Sequence, residues 1–300
     1  MQIKNNQPNN LRKSRLIGLL KLALLVGCLF FLYDKLQDQP ISLSEIKWPN
    51  GFWFTLTVVC LLMTSNWYLE VLRWKYSIQV FESISTKEAW RAVLGGLALN
   101  WVLPLTSGDL IVRISQQQDQ YKTTSAALLN RFIMLCFTIL LGGYGISHLA
   151  KNYDWSWWVL IPIALLMVLG LMFRNSFRRF IAYFKQLNQM TFLRVFGLSL
   201  LRYLIFVSQF LLVLQAFLPM LSISLLIAGI GWIFLIRSAL PLFLGGIGIR
   251  EASGVLFFEP HVNQLHLVLI PIFLIWIINT VIPSLVGMLL FLKWKPAFAK

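Results

Sequence analysis

The sequence predicts an all-α polytopic membrane protein, with six transmembrane helices plus two re-entrant hairpins arranged as an inverted repeat. Three observations carry that prediction. The chain is 58% hydrophobic and only 12% charged, with 12 Trp, and its mean hydropathy is +0.73, whereas about a quarter of residues are charged in soluble proteins. Apolar stretches long enough to cross a hydrocarbon core recur along its length. An eleven-residue pattern also occurs twice, LPLTSGDLIVR at 103–113 and LPLFLGGIGIR at 240–250, matching without gaps at both leucines, the Pro, one Gly and the closing Arg.

The six spans are expected at 16–33, 52–72, 127–147, 156–173, 194–217 and 266–292. Their orientation follows from the net charge of +15, which clusters at span ends. Lys4, Arg12, Lys13, Arg15 and Lys21 precede or enter the first span; Arg73, Lys75, Lys87 and Arg91 follow the second; Arg174, Arg178, Arg179, Lys185 and Arg194 lie between the fourth and fifth; Lys293, Lys295 and Lys300 close the chain. The alternate connections hold Lys35, Lys47 and Lys151 beside Asp34, Asp38, Glu45 and Asp154. By the positive-inside rule both termini are cytoplasmic. The basic charge therefore orients the chain and meets anionic lipid, and it does not indicate nucleic acid. A lipoprotein signal ending at Cys28 is the competing reading of the N-terminus, but Lys21 interrupts its apolar run and LFFLY follows the Cys. Cys28, Cys60 and Cys136 lie inside spans with no disulfide or metal spacing.

Two apolar segments are unsuited to crossing. The first, 89–109, is short and Gly-rich, and is followed by the polar run SQQQDQYKTTS, so it reads as a hairpin entering from the cytoplasmic side. The second, 222–259, rises to Leu240-Pro241, bends at Gly245, Gly246 and Gly248, and returns through Glu251 to Phe258. Three spans separate the two motifs, so like elements enter from opposite faces. The single integral membrane domain, 1–300, then divides into repeat one, about 16–147, and repeat two, about 156–292.

A Pro or Gly break leaves backbone N–H and C=O groups unpaired, which is tolerated at membrane depth only against protein or a watery cavity. An Arg at the break adds a cost of about 2.5–3.5 kcal/mol on insertion scales. Arg113 and Arg250 offer guanidinium forks that match phosphate or carboxylate oxygens, and the glycine turn before Arg250 offers an anion-friendly helix start. The candidate binding set is Arg113, Arg250, Asp109, Glu251, Gly108, Gly245, Gly246, Gly248, Arg237 and Asn100. Asp109 and Glu251 are expected to pair with the arginines when the site is empty. The alternative is that each Arg merely pairs with its acid to hold a hairpin. Arg131 and Arg202 are expected to anchor at the cytoplasmic surface by snorkelling. Trp48, Trp53 and the NYDWSWW run at 152–158 read as an aromatic belt. No catalytic triad, phosphate-binding loop, metal site or cofactor fingerprint is found.

At the two motifs the chain resembles the transmembrane, flippase-like region of lysylphosphatidylglycerol synthases and its stand-alone relatives in bacteria and archaea. The resemblance rests on Leu103, Pro104, Gly108, Asp109 and Arg113 in the first half, on Gly245, Gly246, Gly248, Arg250 and Glu251 in the second, and on Asn130-Arg131 opening the next helix. Departures are Thr106 where relatives often carry Arg, Asp109 where they more often carry Glu, and an Arg113 placed one residue late. The resemblance implies movement of a lipid, lysylphosphatidylglycerol in the named relatives, from the inner to the outer leaflet of a bacterial cytoplasmic membrane; the arginines themselves point to an anionic headgroup, with membrane lipids as the other partners. It also implies no aminoacylation, since the separate soluble domain of the synthases is not expected in this chain. A second copy of the chain or a separate lipid-synthesising enzyme are the open protein partners. Competing functions are a membrane-embedded glycosyl- or headgroup transferase on a lipid carrier, and a scaffold subunit.

Overall fold

The computed structural model describes residues 26–37, 48–100, 107–150, 184, 187–240 and 246–293. All regular structure among them is helical. Helix α1 covers 26–37. The first half continues with α2 (Phe52–Ile78), α3 (Thr86–Leu99), α4 (Ser107–Ser115) and α5 (Gln120–Ala150). The second holds α6 (Gln189–Phe217), α7 (Ile223–Ala239), α8 (Ile249–Phe258) and α9 (His266–Trp276), which passes through a π-helical turn, Ile277–Val281, into α10 (Ile282–Lys293).

Four helical stretches are long and apolar enough to cross a membrane: α2, Gln120–Leu149 of α5, α6, and His266–Leu290 across α9 and α10. The expected span 156–173 lies outside the described residues, as does 16–25 of the first. The observed helices overrun the apolar windows because capping, not hydropathy, ends a helix. In α2 the helix continues past residue 72 to Ile78, carrying Glu70 and Arg73, which neutralise each other one turn apart. The Asn188 side chain accepts from the Met190 N–H to start α6, and Ser222 accepts from the Leu225 N–H to start α7. At α3, Ser85 accepts from the Glu88 N–H while Glu88 accepts from the Ser85 N–H at 2.7 Å, a reciprocal capping box. The Ser85 N–H and hydroxyl together hold the Glu88 carboxyl below the usual carboxylate range. The π turn precedes Pro283, which has no N–H to return to the carbonyl four residues back; widening the turn accommodates the gap.

α2 and α6 pack side by side, with Gln209 Nε2 donating to the Val59 carbonyl at 2.9 Å. Phe52 at the start of α2 meets Phe217 at the end of α6, ring centroids 5.8 Å apart, so the two run antiparallel. At about 1.5 Å per residue α2 is roughly 40 Å long, enough to separate the ends of the bundle. The turn after Ile78 leads into α3 at one end, and the turn after Phe217 leads into α7 at the other. The two broken segments are thus entered from opposite ends.

Each entering leg folds back against its partner, α3 on α4 and α7 on α8. A Cβ at Gly108 would lie 2.5 Å from the Leu99 carbonyl carbon, and one at Gly96 would lie 2.7 Å from Asp109 Cα, so α3 and α4 touch backbone to backbone. The entering legs also exchange partners: α3 packs on α10, and α7 on α5. Gly287 of α10 sits against the Leu94 carbonyl and Gly231 of α7 against the Leu141 carbonyl, leaving no room for a side chain at either crossing. Two apolar clusters fill the bundle. One joins α2, α6, α7, α8 and α9 around Phe210, Leu226, Ile233 and Phe258; the other joins α2, α3 and α5 around Trp74, Val93 and Leu129.

Candidate functional site

The first motif builds an ion-pair network in the bundle. Asn100, which caps α3, accepts the Asp109 N–H on its Oδ1 at 2.9 Å and so fixes where α4 begins. One turn on, Arg113 Nε reaches Asp109 Oδ1 at 2.7 Å. The same guanidinium extends Nη2 to Glu70 Oε1 of α2 at 2.8 Å and lies over the Trp74 ring at 4.5 Å. Glu70 also meets Arg73 Nη2 at 2.5 Å and Arg202 Nη1 of α6 at 2.9 Å. Arg131 Nη2 of α5 is 3.5 Å from Asp109 Oδ2. Arg73 Nη1 further donates to the Asn130 carbonyl and to Ser199 Oγ, each at 3.3 Å.

Burial grades this network from one side to the other. The side chains of Glu70, Arg73 and Arg113 are 4–5% exposed, Arg202 16%, Asp109 18% and Arg131 45%. Four guanidiniums converge on two carboxylates. Placing several charges in a low-dielectric interior is tolerable only when they are paired and hydrogen-bonded, and here each carboxylate serves more than one arginine.

The second motif is organised by backbone. Gly246 and Gly248 have φ of 84° and 85°, values open to Gly and strained for other residues. Glu251 Oε2 accepts the Gly248 N–H at 2.8 Å, fastening the turn to the first turn of α8. Arg250 Nε donates to the Gly246 carbonyl at 3.4 Å, and the Arg237 side chain also lies against Gly246, with Cγ 3.4 Å from where a Cβ would stand. Two arginine side chains, from α7 and α8, therefore approach one glycine. Arg250 is 3% exposed, and among the described residues its Nη2 and Glu251 Oε1 have no hydrogen-bond partner.

The sequence-predicted residues thus fall into two sets. Arg113, Asp109, Gly108 and Asn100 come together in the first, and Arg250, Glu251, Gly246, Gly248 and Arg237 in the second; Gly245, Leu103, Pro104 and Pro241 lie outside the described residues. Arg202 of α6 belongs to the first set, through its pair with Glu70. The expected pairing of Asp109 with Arg113 is present. Glu251, in contrast, spends one oxygen on the Gly248 N–H rather than on Arg250, because a carboxylate at the third position of a helix reaches back to the free N–H at its start. Arg202, expected as a surface anchor, instead points to Glu70 of α2, which it meets at 2.9 Å. Arg131, half exposed, pairs with Asp109.

Sequence reasoning missed Glu70, the carboxylate on which three arginines meet. The available sign was its position inside the apolar window 52–72, where an acid is expensive and marks function by default. Among the described residues no three His, Cys, Asp or Glu side chains come together as a metal-binding group.

No curated protein matches the chain. The family described as the lysylphosphatidylglycerol synthase TM region matches residues 18–287, nearly the whole chain. The match takes in both motifs, and the chain belongs to the lysylphosphatidylglycerol synthase transmembrane-region family.

Proposed function

We propose that this protein moves, or helps move, a lipid with an anionic headgroup between the leaflets of a bacterial cytoplasmic membrane, with both termini on the cytoplasmic side. The single observation that carries the reading is the excess of guanidinium over carboxylate at two broken helical segments. Positive charge at membrane depth needs a counter-charge, and a phosphate supplies one with oxygens that fit an Arg fork. The lipid tails stay in the bilayer while the headgroup passes along the arginines.

The architecture proposed for this work is six spans with two re-entrant hairpins in an inverted repeat. Supporting it are the entry of α3 and α7 from opposite ends, and a pairing pattern that repeats when the halves are exchanged: α2 with α6, α3 with α10, α7 with α5. In transporters of this plan the substrate sits near the midplane, where the broken elements meet.

Glu70 and Asp109 hold the arginines together. An arriving phosphate competes with these carboxylates for Arg113 and Arg202, so binding exchanges one anion for another and much of the desolvation of the arginines is already in place. Arg131, the most exposed of the set, is the first contact.

The test is leaflet exchange of labelled anionic lipids in proteoliposomes, with and without a pH gradient, for wild type, Arg113→Gln and Arg250→Gln at matched folding and reconstitution. Exchange by wild type and a fall of about tenfold or more in each variant, equivalent to about 1.4 kcal/mol or more of lost stabilisation, is the expected result. A folded wild type that moves neither glycerophospholipids nor a polyprenyl phosphate overturns the proposal.

A further inference from the structure

The glycine turn of the second motif holds two buried polar atoms that nothing among the described residues satisfies, and the two are complementary. Arg250 Nε donates to the Gly246 carbonyl at 3.4 Å, and Glu251 Oε2 accepts the Gly248 N–H at 2.8 Å. Both side chains therefore fold back over the same three-residue turn, 246–248. Their other ends are left over: Arg250 Nη2, a donor, and Glu251 Oε1, an acceptor, have no hydrogen-bond partner among the described residues, each other included. The two residues are 3% and 7% exposed, so bulk water does not serve these atoms.

The surroundings suit an oxyanion. α8, ten residues long, starts at this turn, and its first turn is closed by the Ala252 N–H on the Gly248 carbonyl at 2.9 Å. The N–H groups of Ile249, Arg250 and Glu251 thus have no partner within α8, and a helix start of this kind favours a negative group. Gly246 and Gly248, at φ 84° and 85°, let a ligand approach the backbone with no Cβ in the way. The Arg250 guanidinium lies 5.8 Å from the Trp276 ring centroid, and Arg237 Nε comes to 3.6 Å from where a Cβ on Gly246 would stand. A buried donor or acceptor left unpaired costs about 1–3 kcal/mol, and this turn keeps one of each on adjacent residues. One group that accepts from Arg250 and donates to Glu251 would satisfy both.

We propose that this turn seats a phosphodiester lipid headgroup that carries a hydroxyl, as phosphatidylglycerol does: a phosphate oxygen accepts from Arg250 Nη2 and the headgroup hydroxyl donates to Glu251 Oε1. The inference rests on the lipid-binding reading above and adds to it the residue that distinguishes one headgroup from another. A phosphodiester without a hydroxyl satisfies the arginine and leaves the Glu251 oxygen unpaired. Selection is therefore by hydrogen bonding at equal charge. Arg250 holds any phosphodiester, and Glu251 separates those with a donor from those without, while its other oxygen keeps the turn closed.

Phosphatidylglycerol and phosphatidylmethanol carry the same charge and differ in the headgroup hydroxyls, so comparing them isolates the donor. The experiment is lipid retention by the purified full chain, read by native mass spectrometry from micelles holding equal amounts of the two lipids with matched acyl chains. Wild type should retain phosphatidylglycerol about tenfold over phosphatidylmethanol, about 1.4 kcal/mol in binding. Glu251→Gln keeps an oxygen for the Gly248 N–H and puts an amide N–H where the unpaired acceptor stood, so the variant should fold and bring the ratio to about one. Arg250→Gln should lower retention of both lipids alike, by about tenfold, and Lys87→Gln, on the exposed start of α3, should change neither. Equal retention of the two lipids by wild type overturns the proposal, as does a ratio that survives in folded Glu251→Gln. Soluble glycerophosphoglycerol, added as a competitor, separates lipid from free headgroup: failure to displace phosphatidylglycerol at equal concentration supports a lipid ligand, and full displacement overturns it. Leaflet exchange of the same lipids is read independently. A hydroxyl preference in retention without exchange would sink translocation and leave the headgroup seat standing, and exchange of both lipids with equal retention would do the reverse.

Discussion

Glu70 ties α2 to α4 and α6 through three guanidiniums, of which, among the described residues, only Arg113 has another carboxylate within reach. Neutralising it leaves buried Arg73 and largely covered Arg202 without an ion-pair partner among the described residues. Removing one member of a buried pair costs about 3–5 kcal/mol, so Glu70→Gln should lower the unfolding midpoint by a corresponding amount. The loss has a second signature. If phosphate and Glu70 compete for the same arginines, anionic lipid should stabilise Glu70→Gln more than it stabilises wild type, because the variant lacks the carboxylate that lipid must displace. Thermal unfolding with and without phosphatidate measures both effects, and equal stabilisation of the two proteins would mean that lipid binds elsewhere. At this scale the sequence revealed the local pairs and concealed the distant ones. Asp109 and Arg113 are one helical turn apart, so their contact is legible from spacing alone. Glu70 and Arg202 are separated by more than a hundred residues and meet only because α2 and α6 run antiparallel.

The elements that carry the site are set by close backbone approach more than by hydrophobic area. α4 has nine residues, too few to be stable alone, and it is held by Asn100 and by the absence of a side chain at Gly108. Gly108→Ala would drive a methyl into the Leu99 carbonyl carbon at 2.5 Å, and overpacking of this kind costs about 1–3 kcal/mol. Gly143 on α5 has nothing within 4 Å of a Cβ, so Gly143→Ala should be neutral or stabilising by about 0.5–1 kcal/mol, since Ala is the better helix residue. Chemical or thermal unfolding of the two variants side by side checks the contrast, and a similar loss from both would remove the hairpin contact as the cause. Pro104, Gly108 and the glycines of 245–248 mark both breaks in the sequence, because only such residues permit them. Which helix each break would pack against was not legible. The partners α5 and α10 present generic apolar faces, and the small residues that fix the crossings, Gly231 and Gly287, resemble any glycine in a span.

Across the whole molecule the ion pairs form a series that begins at half-exposed Arg131 and runs through Asp109, Arg113 and Glu70 to Arg202. Its members come from α5, α4, α2 and α6, so both halves must be assembled before the series exists. Such a series serves passage between leaflets only if the hairpins open toward different faces. The turn 79–85 lies at the Ile78 end of α2 and the turn 218–222 at the Phe52 end. Lys87, beside the first turn, is exposed, and Met220, in the second, is 77% exposed. In a chain whose Cys28, Cys60 and Cys136 have been replaced, Lys87→Cys should react with a membrane-impermeant maleimide only from the cytoplasmic side and Met220→Cys only from the outer side. Oriented membrane vesicles of each polarity give the comparison directly. Labelling of both positions from one side would contradict a roughly 40 Å α2 standing across the bilayer and, with it, the inverted arrangement. Labelling of Lys87→Cys from outside and Met220→Cys from within would keep the two-sided fold but reverse the charge-based orientation. Arg131 and the first hairpin would then receive lipid from the outer leaflet, and transport would have to begin there.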